Sequence, residues 1–177
     1  MKTLTKRGLR YLLLGCLCAA GLLVGQTKES GALTKLRALS GDWEGTFAWS
    51  GGRNATGKMD AHYYTTGNAS AVVEDLIQDG TPSMTSVYHL DGSDLRLTHF
   101  CAAQNQPRLK ATAFNADNSQ IALSFVDITN LSSPNAGHVD GLEVRFLGAD
   151  HVTLRFHFTG NGKGSDELVD LKRKSIR

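Results

Sequence analysis

Residues 84–101 read Met-Thr-Ser-Val-Tyr-His-Leu-Asp-Gly-Ser-Asp-Leu-Arg-Leu-Thr-His-Phe-Cys. Apolar and polar residues alternate on both sides of Asp91-Gly92-Ser93-Asp94, a stretch with the composition of a tight hairpin turn. This pattern predicts two antiparallel strands over residues 84–90 and 95–102. With the turn at Asp91 to Asp94, the facing pairs are Leu90 and Leu95, Tyr88 and Leu97, Ser86 and His99, and Met84 and Cys101.

The hairpin has one face that is more apolar than the other, because side chains alternate between the two faces of a strand. We expect this face to point inward; its members are Met84, Ser86, Tyr88, Leu90, Leu95, Leu97, His99 and Cys101. It carries a phenol, an imidazole and a thiol, and buried polar groups cost free energy unless they are hydrogen-bonded. Their partners are one another, a trapped water or a bound ligand.

The same alternation continues on both sides of the hairpin. Further candidate strands are residues 43–49, 59–63, 71–77, 109–114, 120–127, 139–147, 151–159 and 167–172. Residues 29–39 form the one convincing helical segment, with leucines at three-residue spacing between Ser30 as N-cap and Gly41. The sequence therefore predicts an all-β fold, a closed antiparallel meander barrel of about ten strands with a short N-terminal helix. We expect Trp43 in the core, where it closes one barrel end against that helix.

Two motifs resemble a known fold family. Leu36-x-x-Leu39-x-Gly41-x-Trp43-x-Gly45 resembles the start of the first strand in lipocalin-like, or calycin, barrels, which include the fatty-acid-binding proteins and the nitrobindin-type haem barrels. Residues 84–108, which end in Asn105-Gln106-Pro107-Arg108, resemble a DUF1579-like family of small exported bacterial proteins with a lipocalin-like domain. The resemblance covers residues 33–173 and implies a barrel fold without naming a chemistry.

The first 25 residues have the organisation of a secretory signal. Four basic residues precede residues 11–25, an apolar run without a charge. This run is short for a transmembrane helix, which needs roughly 20 apolar residues. Leu13-Leu14-Gly15-Cys16 resembles a bacterial lipoprotein cleavage box, so ordinary cleavage, lipidation at Cys16 and a retained anchor are alternatives. We expect residues 1–25 to be a signal peptide or anchor and residues 26–177 an exported barrel domain, periplasmic or secreted.

The leader also changes the charge and the cysteine content. It holds four of the 19 basic residues and none of the 17 acidic ones, so residues 26–177 carry a net charge of −2. The basic character of the chain is therefore no sign of a nucleic-acid partner. Cys16 and Cys18 lie in the leader, which leaves Cys101 alone and the domain without an internal disulfide.

The leading functional hypothesis is a non-enzymatic barrel that binds a small, mostly apolar ligand. Three inward residues, Tyr88, His99 and Cys101, would supply polar contacts. The turn that follows them would form a polar lip through Asn105, Gln106 and Arg108. The alternative for this turn is a purely structural role, in which it fixes the hairpin to its neighbour.

Other functions use some of the same residues. A small hydrolase or isomerase would use His99 with Cys101 or with Glu74, although a buried acid more often pairs with an arginine such as Arg108. His99 and Cys101 could share a zinc ion with His62 or His138, but no spacing demands this. The nitrobindin resemblance permits haem on His99 or His138, and neither matches the haem-ligating position. We predict no cofactor, and a structural module of the cell envelope is the remaining alternative.

Overall fold

The structure is a computed structural model that describes residues 28–115 and 119–175; the predicted leader, residues 1–25, lies outside these ranges. The described residues form one helix and ten strands: α1 (Lys28–Arg37), β1 (Gly41–Gly51), β2 (Thr56–Thr66), β3 (Ala71–Gln78), β4 (Thr81–Asp91), β5 (Asp94–Phe100), β6 (Gln106–Asn115), β7 (Gln120–Thr129), β8 (His138–Phe146), β9 (His151–Gly160) and β10 (Lys163–Arg173). No helix within those ranges is long and apolar enough to cross a membrane.

The strands form a closed barrel in which each strand pairs with its sequence neighbours and β1 also pairs with β10. Every pairing is antiparallel. This confirms the predicted all-β meander barrel with a short N-terminal helix. Tight turns make the meander possible: Asp79-Gly80 and Asn161-Gly162 both adopt positive φ at two consecutive positions, as two-residue type I′ hairpins require.

The helix covers one end of the barrel, which we call the closed end. It packs against β2 to β6 and buries Leu33 and Leu36. Trp43 is fully buried beneath it, and the indole Nε1 donates a hydrogen bond to the Leu39 carbonyl over 2.7 Å. The expected role of Trp43 in the core is confirmed. The opposite end, where β1 leads into β2 and β9 into β10, is the open end.

The central hairpin has the predicted register. Leu90 pairs with Leu95, Tyr88 with Leu97 and Ser86 with His99, across a turn of Gly92 and Ser93. Its predicted inner face points inward: Ser86, Tyr88, Leu95, Leu97 and His99 are fully buried, and Met84, Leu90 and Cys101 are half-buried. The inner faces of the other strands complete one hydrophobic core.

Candidate functional site

A pocket of about 320 Å³ opens at the open end of the barrel, and we call it the mouth pocket. Its apolar walls come from four different strands, through Trp49, Met84, Val139 and Phe158. Its polar lining comes from Arg53, Gln78, Ser83 and Glu167. The thiol-bearing Cys101 and the two alanines after it complete the rim. The closure of the meander brings these residues together from positions more than 100 residues apart in sequence.

Arg53 lies over two aromatic rings of the mouth pocket. The Trp49 and Phe158 rings meet edge to face, with centroids 5.9 Å apart and planes at 87°. The guanidinium carbon of Arg53 lies 4.5 Å from the Trp49 ring centroid and 3.8 Å from the Phe158 ring centroid. Both distances are within the range in which a cation is attracted to an aromatic face.

Glu167 is a buried acid in the lining of the same pocket. The residue is only 2% exposed. Burial raises the pKa of the Glu167 carboxyl to about 7, while the Arg53 charge and a hydrogen bond from Trp49 act in the opposite direction. The pocket therefore contains a carboxyl group that is partly ionised near neutral pH.

Cys101 is half-buried at the end of the β5 segment and lines the mouth pocket. Burial raises the pKa of its thiol above the ordinary value, an effect that Glu167 reinforces and Arg53 opposes. The reactive form of cysteine is the thiolate, so a thiol with a raised pKa is a weak nucleophile at neutral pH. Cys101 is therefore better placed to line the pocket than to act as a nucleophile.

Beneath the pocket, the barrel interior contains a polar row across four adjacent strands. Tyr63 on β2 pairs with Glu74 on β3, Glu74 with Ser86 on β4, and Ser86 with His99 on β5. The Tyr63 hydroxyl donates to Glu74 Oε2 over 2.7 Å, and Tyr88 donates to the same oxygen over 3.1 Å. The Ser86 hydroxyl and His99 Nδ1 share a hydrogen bond of 2.9 Å.

Burial dominates the protonation of this row. It raises the pKa of Glu74 to about 7, against the opposing effect of the Tyr63, Ser86 and Tyr88 hydroxyls. It lowers the pKa of His99 to about 4, so the imidazole is neutral at physiological pH. Burial and the Glu74 charge raise the pKa of both tyrosines well above the ordinary value, which keeps them as hydrogen-bond donors.

Two atoms of the row have no hydrogen-bond partner, Glu74 Oε1 and His99 Nε2. The His99 ring lies 5.1 Å from the Phe156 ring across the interior, and both residues are sealed from solvent. Because the whole row is buried, none of its groups is accessible to a substrate in this conformation. The hydrolase alternative therefore gains no support from His99 with Glu74.

The predicted lip residues lie in three different environments. Asn105 is buried, and its amide donates to the Gly137 carbonyl over 2.9 Å. Gln106 accepts a hydrogen bond from the Thr129 hydroxyl over 3.0 Å, and Arg108 forms an ion pair with Asp127 on the barrel exterior. Since β6 begins at Gln106, most of the expected turn is strand, and neither Gln106 nor Arg108 lines the mouth pocket. Of the six predicted contacts, Cys101 is the one that does.

The prediction that Glu74 pairs with an arginine such as Arg108 is wrong. Two tyrosine hydroxyls donate hydrogen bonds to Oε2 of this acid, and Arg108 projects from the outer face of β6. The sequence reasoning also missed Arg53, Trp49 and Glu167. For Glu167 a signal exists, because it precedes Val169 and Leu171 on one alternating face of β10. Arg53 lies in a loop whose composition shows no alternation.

The predicted metal ligands do not come together. The described residues contain no group of three or more His, Cys, Asp or Glu side chains that could hold a metal ion. His62 bonds Asp42 over 2.7 Å, and His138 bonds the Ala136 carbonyl over 3.0 Å. Neither His99 nor His138 lines the mouth pocket, so haem ligated by either residue does not fit there.

No family model matches the chain, and no curated protein matches it in sequence. Among solved structures, Rv2717c from M. tuberculosis is similar, with 18% identity over 81% of this chain and 98% of that chain, and a TM-score of 0.57. A protein of unknown function from the DUF3598 family of Nostoc punctiforme has 12% identity over 78% of this chain and 49% of that chain, with a TM-score of 0.53. The DUF1579-like resemblance stays a prediction, because identities this low show the fold alone. The fold that this chain shares with these two structures is a closed antiparallel β-barrel.

Proposed function

We propose that this barrel binds a small, mostly apolar molecule in the mouth pocket. The observation that carries the proposal is the combination of apolar walls with a buried carboxyl group at the open end. Ligand sites are commonly apolar cavities of roughly 300–1,000 Å³ with a few placed polar groups, so the mouth pocket suits a small ligand. Glu167 would contact the polar part of the ligand, and Cys101 would contact its apolar body.

The other predicted contacts take supporting roles in this proposal. Asn105 holds the loop after β5 against the segment before β8, at the edge of the mouth pocket. Tyr88 and His99 belong to the polar row and would keep the surrounding strands in register. Ligand selectivity would thus depend on the rim residues, and barrel integrity on the interior ones.

A variant that fills the pocket without altering the core tests the binding proposal. Ala103 lines the mouth pocket but is exposed, so Ala103→Trp adds bulk at the rim. We expect it to weaken binding of the neutral apolar fluorophore N-phenyl-1-naphthylamine by about tenfold or more, which is 1.4 kcal/mol or more. Ala149→Trp, at an exposed position near the closed end, is the control and should leave binding unchanged. Equal binding by both variants would show that the fluorophore does not use the mouth pocket.

We also propose that the barrel acts after export, with residues 1–25 removed or retained as an anchor. The support is the charge distribution and apolar run of the leader. Intact mass measurement of the protein recovered outside the cytoplasm should show loss of the leader, or the full-length mass in the membrane fraction where the leader is retained as an anchor. A lipid adduct that disappears in Cys16→Ser would identify lipidation. Recovery of only the full-length chain from the cytoplasm would contradict export.

A further inference from the structure

Three groups that favour positive charge converge on one position in the mouth pocket. The Trp49 and Phe158 rings stand at 87° to each other and form a corner with two aromatic faces. Glu167 contributes a buried carboxyl group next to this corner, and Trp49 hydrogen-bonds to it. Aromatic faces carry partial negative charge, and a carboxylate carries a full one. The position between them is therefore a cation site by its chemistry.

The guanidinium of Arg53 fills this position in the structure. It lies within 4.5 Å of both ring centroids, and its charge acts on Glu167. Arg53 reaches the site from the exposed loop Gly52-Arg53-Asn54-Ala55, which joins β1 to β2. The loop backbone is anchored separately, by hydrogen bonds from Trp49 N to the Ala55 carbonyl and from Gly52 N to the Gly164 carbonyl. The side chain can therefore leave the corner while the loop keeps its attachment to the barrel.

We propose that the ligand of the mouth pocket is a small organic cation, an ammonium or guanidinium group on an apolar body, and that Arg53 occupies the cation position until this ligand displaces it. The inference rests on the proposed function, since it names the chemical class of the ligand for the same pocket. A tethered group competes at an effective concentration of about millimolar, so removal of the Arg53 side chain should strengthen cation binding.

An anionic ligand held by Arg53 is the opposite assignment, and the surroundings argue against it. An anionic head group beside Arg53 would lie against two aromatic faces and close to the Glu167 carboxyl group. All three disfavour negative charge, and Arg53 alone favours it. A neutral ligand would leave the corner to Arg53 and would gain from the apolar walls only.

Calorimetric titration with three compounds on one phenylpropyl body separates these cases. The compounds are 3-phenylpropylammonium, 3-phenylpropan-1-ol and 3-phenylpropanoate. For the wild type we expect the ammonium compound to bind most tightly. Arg53→Ala should raise its affinity about fivefold or more, and Glu167→Gln should lower it about tenfold, with little change for the alcohol. Lys58→Ala removes an exposed positive charge outside the pocket and serves as the control.

The pH dependence of the affinity tests whether Glu167 acts through its charge. A purely structural role of Glu167 would leave the affinity independent of its ionisation. Because the pKa of Glu167 is raised to about 7, the affinity for the ammonium compound should rise between pH 6 and pH 8. The other groups that face Glu167 are the Arg53 guanidinium and the Cys101 thiol, and the raised pKa of Cys101 keeps the thiol neutral. The rise should disappear in Glu167→Gln.

The outcomes distinguish this inference from the proposed function. Tightest binding of 3-phenylpropanoate, lost in Arg53→Ala, would overturn the cation assignment and leave a ligand pocket in place. Equal binding of all three compounds, abolished by Ala103→Trp, would do the same. Failure of the three compounds and of N-phenyl-1-naphthylamine to bind would overturn both proposals.

Discussion

Glu74 illustrates at the scale of one residue how this barrel handles a buried acid. Oε2 accepts hydrogen bonds from Tyr63 and Tyr88, whereas Oε1 has no partner. The hydroxyl donors favour the ionised form, but burial is the larger effect and raises the pKa of Glu74 to about 7. The folded protein therefore holds a proton on Glu74 that an unfolded chain would release at lower pH.

Glu74→Gln should remove a pH-dependent contribution to stability. Between pH 4.5 and pH 7 the folded state binds more protons at Glu74 than the unfolded state, so this group destabilises the fold as pH rises. A shift from 4.5 to about 7 corresponds to about 3 kcal/mol. The amide can present its oxygen to both tyrosines in the position of Oε2, without a charge. Relative to wild type, the free energy of unfolding of Glu74→Gln should therefore rise by about 3 kcal/mol between pH 4.5 and pH 8.

Urea denaturation at several pH values measures this difference. The titrations of His99 and Glu167 are common to both proteins and cancel in the comparison. Glu44→Gln, on the exposed face of β1, is the control and should change the free energy of unfolding by less than about 0.5 kcal/mol. A constant offset between wild type and Glu74→Gln across the range would refute the raised pKa.

Sequence reasoning located part of this residue-scale site. The inward direction of Tyr88 and His99 followed from alternation alone, since the hairpin has one clearly more apolar face. Alternation fails on β3, where Val72, Val73 and Glu74 are all buried in succession. The partners of Glu74 therefore required the register of β2 and β4 against β3, which no local pattern contains.

At the scale of elements, short turns decided what could be predicted. The register of the central hairpin followed from its two-residue turn, because a local turn fixes the pairing of the strands that it joins. Pro107 between polar residues predicts a turn over residues 105–108. In the structure the pairing between β5 and β6 ends at Thr98 with Arg108. Proline has no backbone N–H, but Pro107 lies beyond this last pair, so no hydrogen bond to β5 is lost. On its other side β6 stays paired with β7 at this position, where Pro107 lies opposite Ile128.

The mouth pocket could not be predicted from the sequence, because its residues come from strands that are distant in the chain. Trp49, Phe158 and Glu167 come from β1, β9 and β10, which become neighbours only when β1 pairs with β10. Each residue occupies an inward position of its own strand, and such a position is more often core than site. The role proposed for Arg53 in the mouth pocket depends on its contacts with these three residues. The loop sequence alone therefore does not identify Arg53 as a site residue.

The whole molecule depends on one pairing between strands that are distant in sequence. β1 and β10 pair over nine residues, from Trp43 with Arg173 to Gly51 with Ser165. They approach so closely that a Cβ atom on Gly45 would lie 1.8 Å from the Asp170 carbonyl oxygen, which explains the glycine in the Trp43-x-Gly45 motif. Arg173 adds a connection at the closed end, with its guanidinium carbon 4.4 Å from the Trp43 ring centroid.

Arg173→Lys should weaken closure of the barrel although it keeps the positive charge. The planar guanidinium bonds Asp150 over 3.0 Å and three backbone carbonyls, those of Ala38, Ser40 and Ala149, over 2.9, 2.8 and 3.3 Å. A lysine ammonium has one nitrogen and cannot reach these acceptors together or stack on the indole. The loss of about two of these four hydrogen bonds, at a net value of about 1 kcal/mol each, should lower the free energy of unfolding by about 2 kcal/mol.

Thermal and urea denaturation of Arg173→Lys and Arg145→Lys test this connection. Arg145 is half exposed and makes one bond of 3.3 Å to Glu143, so its substitution should change stability by less than about 0.5 kcal/mol. For a chain of this size, a loss of about 2 kcal/mol lowers the melting temperature by roughly 4–8 °C. Equal melting temperatures for the two variants would show that the Arg173 contacts do not stabilise closure, and that pairing of β1 with β10 and the buried Trp43 suffice for it.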